Sequence, residues 1–122
     1  MPCLKIMTNI VKSNIPEDFM TKVIPVLVEG VRKPPETFIC VVQDSCQLTI
    51  NGNSTLPGVI ATLESIGNLG SENNKRIVKL LTAFIEKELG VPPNRFFLTF
   101  YDLETYNVGK GGITIETLLE NM

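Results

Sequence analysis

Residues 30–42, GVRKPPETFICVV, and residues 89–101, LGVPPNRFFLTFY, are two versions of one pattern. Each sets Pro-Pro, then two polar residues, then an apolar run, and each follows an amphipathic stretch. Over about Pro16–Val31, the residues Phe19, Met20, Val23, Ile24, Leu27 and Val28 recur at helical spacing. Over about Ser71–Leu89, Ile77, Leu80, Leu81, Phe84, Ile85 and Leu89 do the same. Ser71 with Asn74 three positions on opens the second helix, and Gly90 followed by Pro92-Pro93 stops it. Pro25 falls inside the first helix and removes one backbone hydrogen bond there.

A strand-like run precedes each helix, at Cys3–Thr8 and at Val59–Ser65. The chain therefore reads strand–helix–strand twice, with Pro34 and Pro92 about half the chain apart. A crossover of that length joins parallel strands with a right-handed turn. The fold class expected is α/β (α+β): two βαβ repeats forming a four-stranded mixed sheet with both helices on one face, in one domain spanning residues 1–122. The other face needs a cover, and in so short a chain the available cover is another copy of itself. Short strands are also expected at Cys46–Ile50 and Tyr106–Val108, a turn at Asn51–Asn53, and a strand with a terminal helical turn in GGITIETLLENM.

Composition narrows the function. Hydrophobic residues make up 43% and charged residues 20%, which describes a folded globular chain. The net charge of −2, with no more than two consecutive basic residues, argues against nucleic acid as a partner. No apolar run is long enough to span a bilayer. The first residues carry no leader pattern, so a cytoplasmic product is expected, with any secretion by a non-classical route. With no histidine, Ser–His and Cys–His nucleophile systems are excluded. Three cysteines without a Cys-x-x-Cys pair favour free thiols over a disulfide framework or a zinc site, and no metal or organic cofactor is expected. Asn53-Ser54-Thr55 is a formal glycosylation sequon that reads better as a turn.

One residue could carry unusual chemistry. Pro2 follows Met1 directly, and removal of a methionine before so small a residue leaves a free secondary amine. An α-amine ionises near 7.7–8.0 in water, and burial or a neighbouring cation lowers that value. A ring-held amine at the head of a buried strand is then a neutral base near pH 7, where general-base catalysis works best. Taken alone, Pro2 is better explained as a β-compatible residue at a chain end.

Four blocks change that weighting: MPCLKIMTNI at the start, KPPETFICV (33–41), SIGNLGSENNKRIVKLL (65–81) and PPNRFFLTFYDLETYNVG (92–109). Their order and spacing resemble the macrophage migration inhibitory factor family along nearly the whole chain. The resemblance implies a βαβ-repeat monomer assembled as a homotrimer. It also implies a keto–enol tautomerase acting on a small aromatic 2-keto acid such as phenylpyruvate, with Pro2 as catalytic base. Lys33 would lower the amine pKa and hold the substrate carboxylate. Ser65 and Ile66 would line the pocket with backbone, the Ile66 N–H donating to the carboxylate. Where the family has a pocket tyrosine and asparagine this chain has Phe97 and Thr99, and a further pocket tyrosine falls on Thr37. The late aromatic residues of the pocket rim fall on Lys110 and Ile115, and the Cys-x-x-Cys of the vertebrate cytokine is replaced by Gly58 and Ala61. A second function implied by the resemblance is that of a cytokine-like ligand for a cell-surface receptor, with a weak or residual pocket.

Overall fold

The computed structural model describes residues 1–122. Strands β1 (Cys3–Thr8), β2 (Ile39–Gln43), β3 (Val59–Ser65) and β4 (Phe96–Asp102) form one sheet in the order β2-β1-β3-β4. Helix α1 (Phe19–Val31) connects the parallel pair β1 and β2, and α2 (Ser71–Leu89) connects the parallel pair β3 and β4. The two halves join through antiparallel β1 and β3, with Cys3 opposite Glu64 and Thr8 opposite Val59. The expected two-repeat mixed sheet is thus the fold observed.

Alternation along the strands decides which face is covered. Leu4 and Ile6 of β1, with Val59, Ala61 and Leu63 of β3, meet Phe19, Val23, Leu27 and Val31 of α1 and Ile77, Leu81, Ile85 and Leu89 of α2 in one core. The rings of Phe19 and Phe84 pack at 5.3 Å between centroids. The helices approach closely at Gly30, where a Cβ would lie 3.4 Å from Ile77 Cγ1. Arg76 on α2 satisfies the Gly30 carbonyl there, donating through Nε at 3.0 Å and Nη2 at 2.8 Å. Pro25 leaves α1 unbroken because it sits on the exposed side, where water can take the carbonyl it fails to satisfy.

The opposite sheet face carries Met7, Ile39, Val41, Ile60, Phe97 and Tyr101, all among the most exposed large apolar side chains of the chain. Strand register sets them in rows: Ile39–Cys3–Glu64–Tyr101, Val41–Lys5–Thr62–Thr99 and Gln43–Met7–Ile60–Phe97. Only the 2.8 Å ion pair of Lys5 with Glu64 interrupts that apolar character electrostatically. A contiguous apolar face of this kind marks a surface built to be covered.

Several local expectations are corrected. Residues 46–49 form no strand: Cys46 N–H donates to the Thr8 carbonyl at the end of β1 at 2.9 Å without starting a ladder, and only Ile50 makes a bridge, to Asn53 across the expected turn. Tyr106 lies in a single helical turn, Thr105–Asn107, and the strand comes later. β5 (Gly109–Lys110) pairs with β6 (Ile113–Thr114), which leads into α3 (Ile115–Glu120). Helix α1 starts at Phe19 rather than Pro16, because Pro16 opens a separate tight turn in which Phe19 N–H donates to the Pro16 carbonyl at 3.0 Å. The cap of α2 is Gly70 instead of Ser71, and Asn74 Oδ1 reaches back to accept from Gly70 N–H at 3.1 Å.

Arg95 was not legible as structural, yet it is 3% exposed. Its guanidinium donates to the carbonyls of Ile50 (2.7 Å), Pro57 (2.9 Å), Leu56 (2.9 Å) and Asn53 (3.2 Å), stitching the 50–57 loop to the start of β4. Gly58 makes room for this: a Cβ would meet Ile50 Cδ1 at 2.7 Å and Arg95 Nη2 at 3.3 Å. Arg95→Met keeps the stem but orphans these carbonyls, so urea unfolding is expected to show a loss of about 2–4 kcal/mol, several carbonyls each losing a charge-assisted partner. An unchanged midpoint would show that the loop does not depend on the guanidinium.

Candidate active site

At one end of the sheet four segments meet. Because β1 and β3 are antiparallel, the start of β1 lies beside the end of β3. Because each helix returns the chain parallel, the start of β2 and the end of β4 lie there too. Pro2 is buried at this end, and its carbonyl accepts from Ile39 N–H at 2.9 Å, tying the chain start to β2.

The end of α1 aims Lys33 into the same place. Arg32, at the helix terminus, adopts the left-handed conformation (φ 61°, ψ 49°) and turns the chain away from the helix axis. Asn68 Nδ2 holds that corner by donating to the carbonyls of Val31 (3.0 Å) and Arg32 (3.3 Å). Lys33 Nζ then donates to the Ile66 carbonyl at 2.6 Å. Buried Ser65 closes the turn by donating from Oγ to the Gly67 carbonyl at 2.8 Å. Gly67 N–H donates to Asp102 Oδ1 at 3.1 Å, and Leu103 N–H to the Ser65 carbonyl at 2.8 Å.

Electrostatics at this end favour a neutral amine. The terminal amine, carried by Met1 in this chain, is held below its ordinary pKa by burial first, then by the positive charges of Lys33 and Lys110. Burial also pushes Lys33 below the usual lysine range, while the charge of Asp102 opposes that fall. Each of these influences favours the uncharged form of the amine, the form that accepts a proton, and ammonium groups beside it can steady an anion.

Pro2, Lys33, Ser65 and Ile66 are therefore brought together within one chain. Phe97 and Thr99 are not. Both project from the open sheet face, and Phe97 shares a row with Met7, five residues along β1 from Pro2, about 16 Å at ~3.3 Å per residue. Thr37 turns back locally, its hydroxyl donating to the Pro34 carbonyl at 2.6 Å. Ile115 is buried, its N–H donating to the Val108 carbonyl at 2.8 Å, so it forms no rim in the single chain. The resemblance set Lys110 at the pocket rim but not as a charge acting on the amine, and nothing in the residues marked Asp102 as a charge acting on Lys33.

A concavity of about 580 Å³ lies elsewhere on the single chain, toward the end of β1 remote from Pro2. Ile15, Phe19, Met20 and Val42 line it, with Lys12 and Asp44 at its edge. No three Cys, Asp or Glu side chains converge in a way that could hold a metal ion.

Comparison with known proteins gives a consistent picture. The sequence pattern of the family described as macrophage migration inhibitory factor (MIF) matches residues 1–116. A macrophage migration inhibitory factor of Xenopus laevis is 36% identical over 115 residues, covering 93% of this chain and 98% of that protein. A macrophage migration inhibitory factor homolog of Trichinella spiralis is 32% identical over 114 residues, covering 93% of this chain and 99% of that protein. The solved structure of the factor from Trichinella spiralis superposes with a TM-score of 0.87 at 27% identity, over 92% of this chain and 98% of its own.

Lys33→Met removes one of the two cations acting on the terminal amine, so the amine pKa should rise and its neutral fraction at pH 7 should fall. The pH dependence of selective acylation of the terminal nitrogen measures this. A curve identical to that of the unsubstituted protein would show that Lys33 does not act on the amine.

Proposed function

The chain belongs to the macrophage migration inhibitory factor family, and from that membership we propose that it is a keto–enol tautomerase whose base is Pro2 after removal of Met1. The observation that carries the proposal is the burial of Pro2 at the sheet end where Lys33 reaches in to donate to the Ile66 carbonyl. With Met1 gone, the imino nitrogen of Pro2 is the terminal amine. Its lone pair takes a proton from the carbon next to the substrate ketone, and the C–H electron pair moves into the new C=C bond as the carbonyl oxygen becomes an enolate. The resulting prolinium returns its proton to that oxygen. The net change is isomerisation, with the base regenerated and no cofactor consumed.

Lys33 has three N–H donors, of which one is spent on the Ile66 carbonyl. That bond fixes the ammonium beside the base, and its remaining donors are available to a substrate carboxylate. The Ile66 N–H and the turn closed by Ser65 supply backbone donors on the same side. An interaction with an ammonium that strengthens as charge grows on the enolate oxygen lowers the barrier, whereas equal binding of substrate and enolate would not.

The aromatic wall comes from elsewhere in this reading. Phe97 and Thr99 sit on the apolar face that one chain leaves open, with Phe97 about 16 Å along the sheet from its own Pro2 at ~3.3 Å per residue. A neighbouring copy covering that face would bring its Phe97 and Thr99 to this chain's pocket, so the site is completed by assembly as a homotrimer. The substrate class that fits is an aromatic 2-keto acid of the phenylpyruvate type. The relatives' names, which describe a factor inhibiting macrophage migration, support a second, compatible role as a cytokine-like ligand for a cell-surface receptor.

With phenylpyruvate as substrate, Pro2→Gly is expected to lower kcat/KM by about 10²-fold or more, the usual worth of a positioned general base. The native rate should climb with pH as the amine loses its proton and then level off, the limb lying below the ordinary α-amine range. A Pro2→Gly protein as active as the native one would remove the base from the mechanism. Light scattering after size exclusion should give three times the chain mass; a stable monomer would refute the shared pocket.

A further inference from the structure

A lysine at the end of a helix ordinarily turns back on the carbonyls of its own last turn, which the helix leaves without partners. At the end of α1 those carbonyls are already taken. The Val28 carbonyl accepts from Arg32 N–H at 2.9 Å, and the Gly30 carbonyl accepts from Arg76 through Nε at 3.0 Å and Nη2 at 2.8 Å. The carbonyls of Val31 and Arg32 accept from Asn68 Nδ2 at 3.0 Å and 3.3 Å. Lys33 comes next in the chain and reaches across to the second repeat instead, where Nζ donates to the Ile66 carbonyl at 2.6 Å.

The group that receives Lys33 is held by the same segment that occupies the helix end. Ser65 Oγ donates to the Gly67 carbonyl at 2.8 Å, and Gly67 N–H donates to Asp102 Oδ1 at 3.1 Å, so Ile66 sits inside a turn fixed on both sides. Asn68 follows that turn directly, only two residues after the acceptor. Its φ of 62° is left-handed, a conformation asparagine tolerates better than most side chains, and its amide brings two N–H donors. Glycine would keep this backbone but leave the Val31 and Arg32 carbonyls open. Arg32, opposite, is left-handed as well at φ 61°, so the corner stores backbone strain that its neighbours must hold.

We infer that Asn68 is a positioning residue of the active site: by occupying the Val31 and Arg32 carbonyls it denies Lys33 its local acceptors and keeps the ammonium on Ile66. This rests on the tautomerase reading and deepens its account of Lys33. Asn68 touches no reacting atom. It sets the fraction of molecules in which Lys33 is ready to receive a substrate carboxylate, and the apparent affinity for such a substrate scales with that fraction.

The test is a double-mutant cycle on kcat/KM for phenylpyruvate, using Asn68→Gly and Lys33→Met singly and together. Asn68→Gly alone should lower kcat/KM by about threefold to tenfold, the range over which loss of one ordered hydrogen bond shifts an equilibrium. In the Lys33→Met background the same change should cost nothing further, because the group it positions is gone. An equal loss in both backgrounds marks a merely structural role and overturns the inference, as does an unchanged rate in Asn68→Gly alone. Asn68→Asp, which keeps the side-chain shape and the left-handed backbone but has no N–H to donate, should behave as Asn68→Gly does and takes its place in the cycle if the glycine variant does not fold. If the native protein does not turn over phenylpyruvate, the tautomerase reading has failed, and a crystal structure of Asn68→Gly decides the inference alone. Lys33 Nζ gone from the Ile66 carbonyl supports it; Lys33 still bonded there refutes it.

Discussion

The antiparallel register of β1 on β3, Cys3 opposite Glu64 through Thr8 opposite Val59, is the constraint from which the rest of the molecule follows. It sets the start of the chain against the Ser65–Gly67 turn. The two parallel crossovers then bring the start of β2 and the end of β4 to the same edge. A slip of one residue would turn Leu4 and Ile6 away from the helices and set Lys5 against Phe19 and Ile77. The burial of those side chains enforces the register, and the register places Pro2, Lys33 and Ile66 together. Packing on one face thus determines geometry at one end.

The two ends of the sheet are finished differently. At the end remote from Pro2, buried polar groups find partners: Thr8 Oγ1 donates to the Gly58 carbonyl at 2.7 Å and accepts from Ile10 N–H at 3.2 Å. Asn9 Oδ1 accepts from Gly58 N–H at 2.9 Å, and Arg95 gathers four loop carbonyls. A guanidinium can stay buried there without a carboxylate because its donors match carbonyls almost completely. At the Pro2 end, charge is left without that compensation. Fold stability resides where polar groups are satisfied, and reactivity resides where they are left in need of a partner.

What the sequence made legible follows the same division. β1, β3 and α2 could be bounded from residues alone, because alternating or helical apolar spacing records which side faces the core. Residues 46–49 could not, since a strand needs a ladder of bonds to a neighbour and β1 ends at Thr8, whose carbonyl takes only the Cys46 N–H. The cap at Gly70 was missed by one residue because Asn74 bonds back to the glycine N–H, a contact that Ser71 equally invited. Pro2 drew notice by its own chemistry, but Lys33, Ser65 and Ile66 were readable only through likeness to a family. Nothing in their spacing shows that the corner held by Asn68 would carry Lys33 to Ile66. Phe97 and Thr99 were readable as residues of a pocket but not as residues on the face away from their own Pro2, which is a property of register.

Asp102 links the charges at the site to one another. A cation can depress the terminal amine only while it stays charged itself, and the burial that draws Lys33 toward the amine also drives its own pKa down. Left alone, deeper burial of Lys33 would weaken the effect for which it is placed. The carboxylate of Asp102 offsets that loss by favouring the ammonium. Yet it does not pair with Lys33, since its Oδ1 is engaged by Gly67 N–H and no ion pair closes between the two. Held by Gly67 N–H at the end of β4, the carboxylate favours the ammonium form of Lys33 without closing on it, so the positive charge of Lys33 is left to act on the amine.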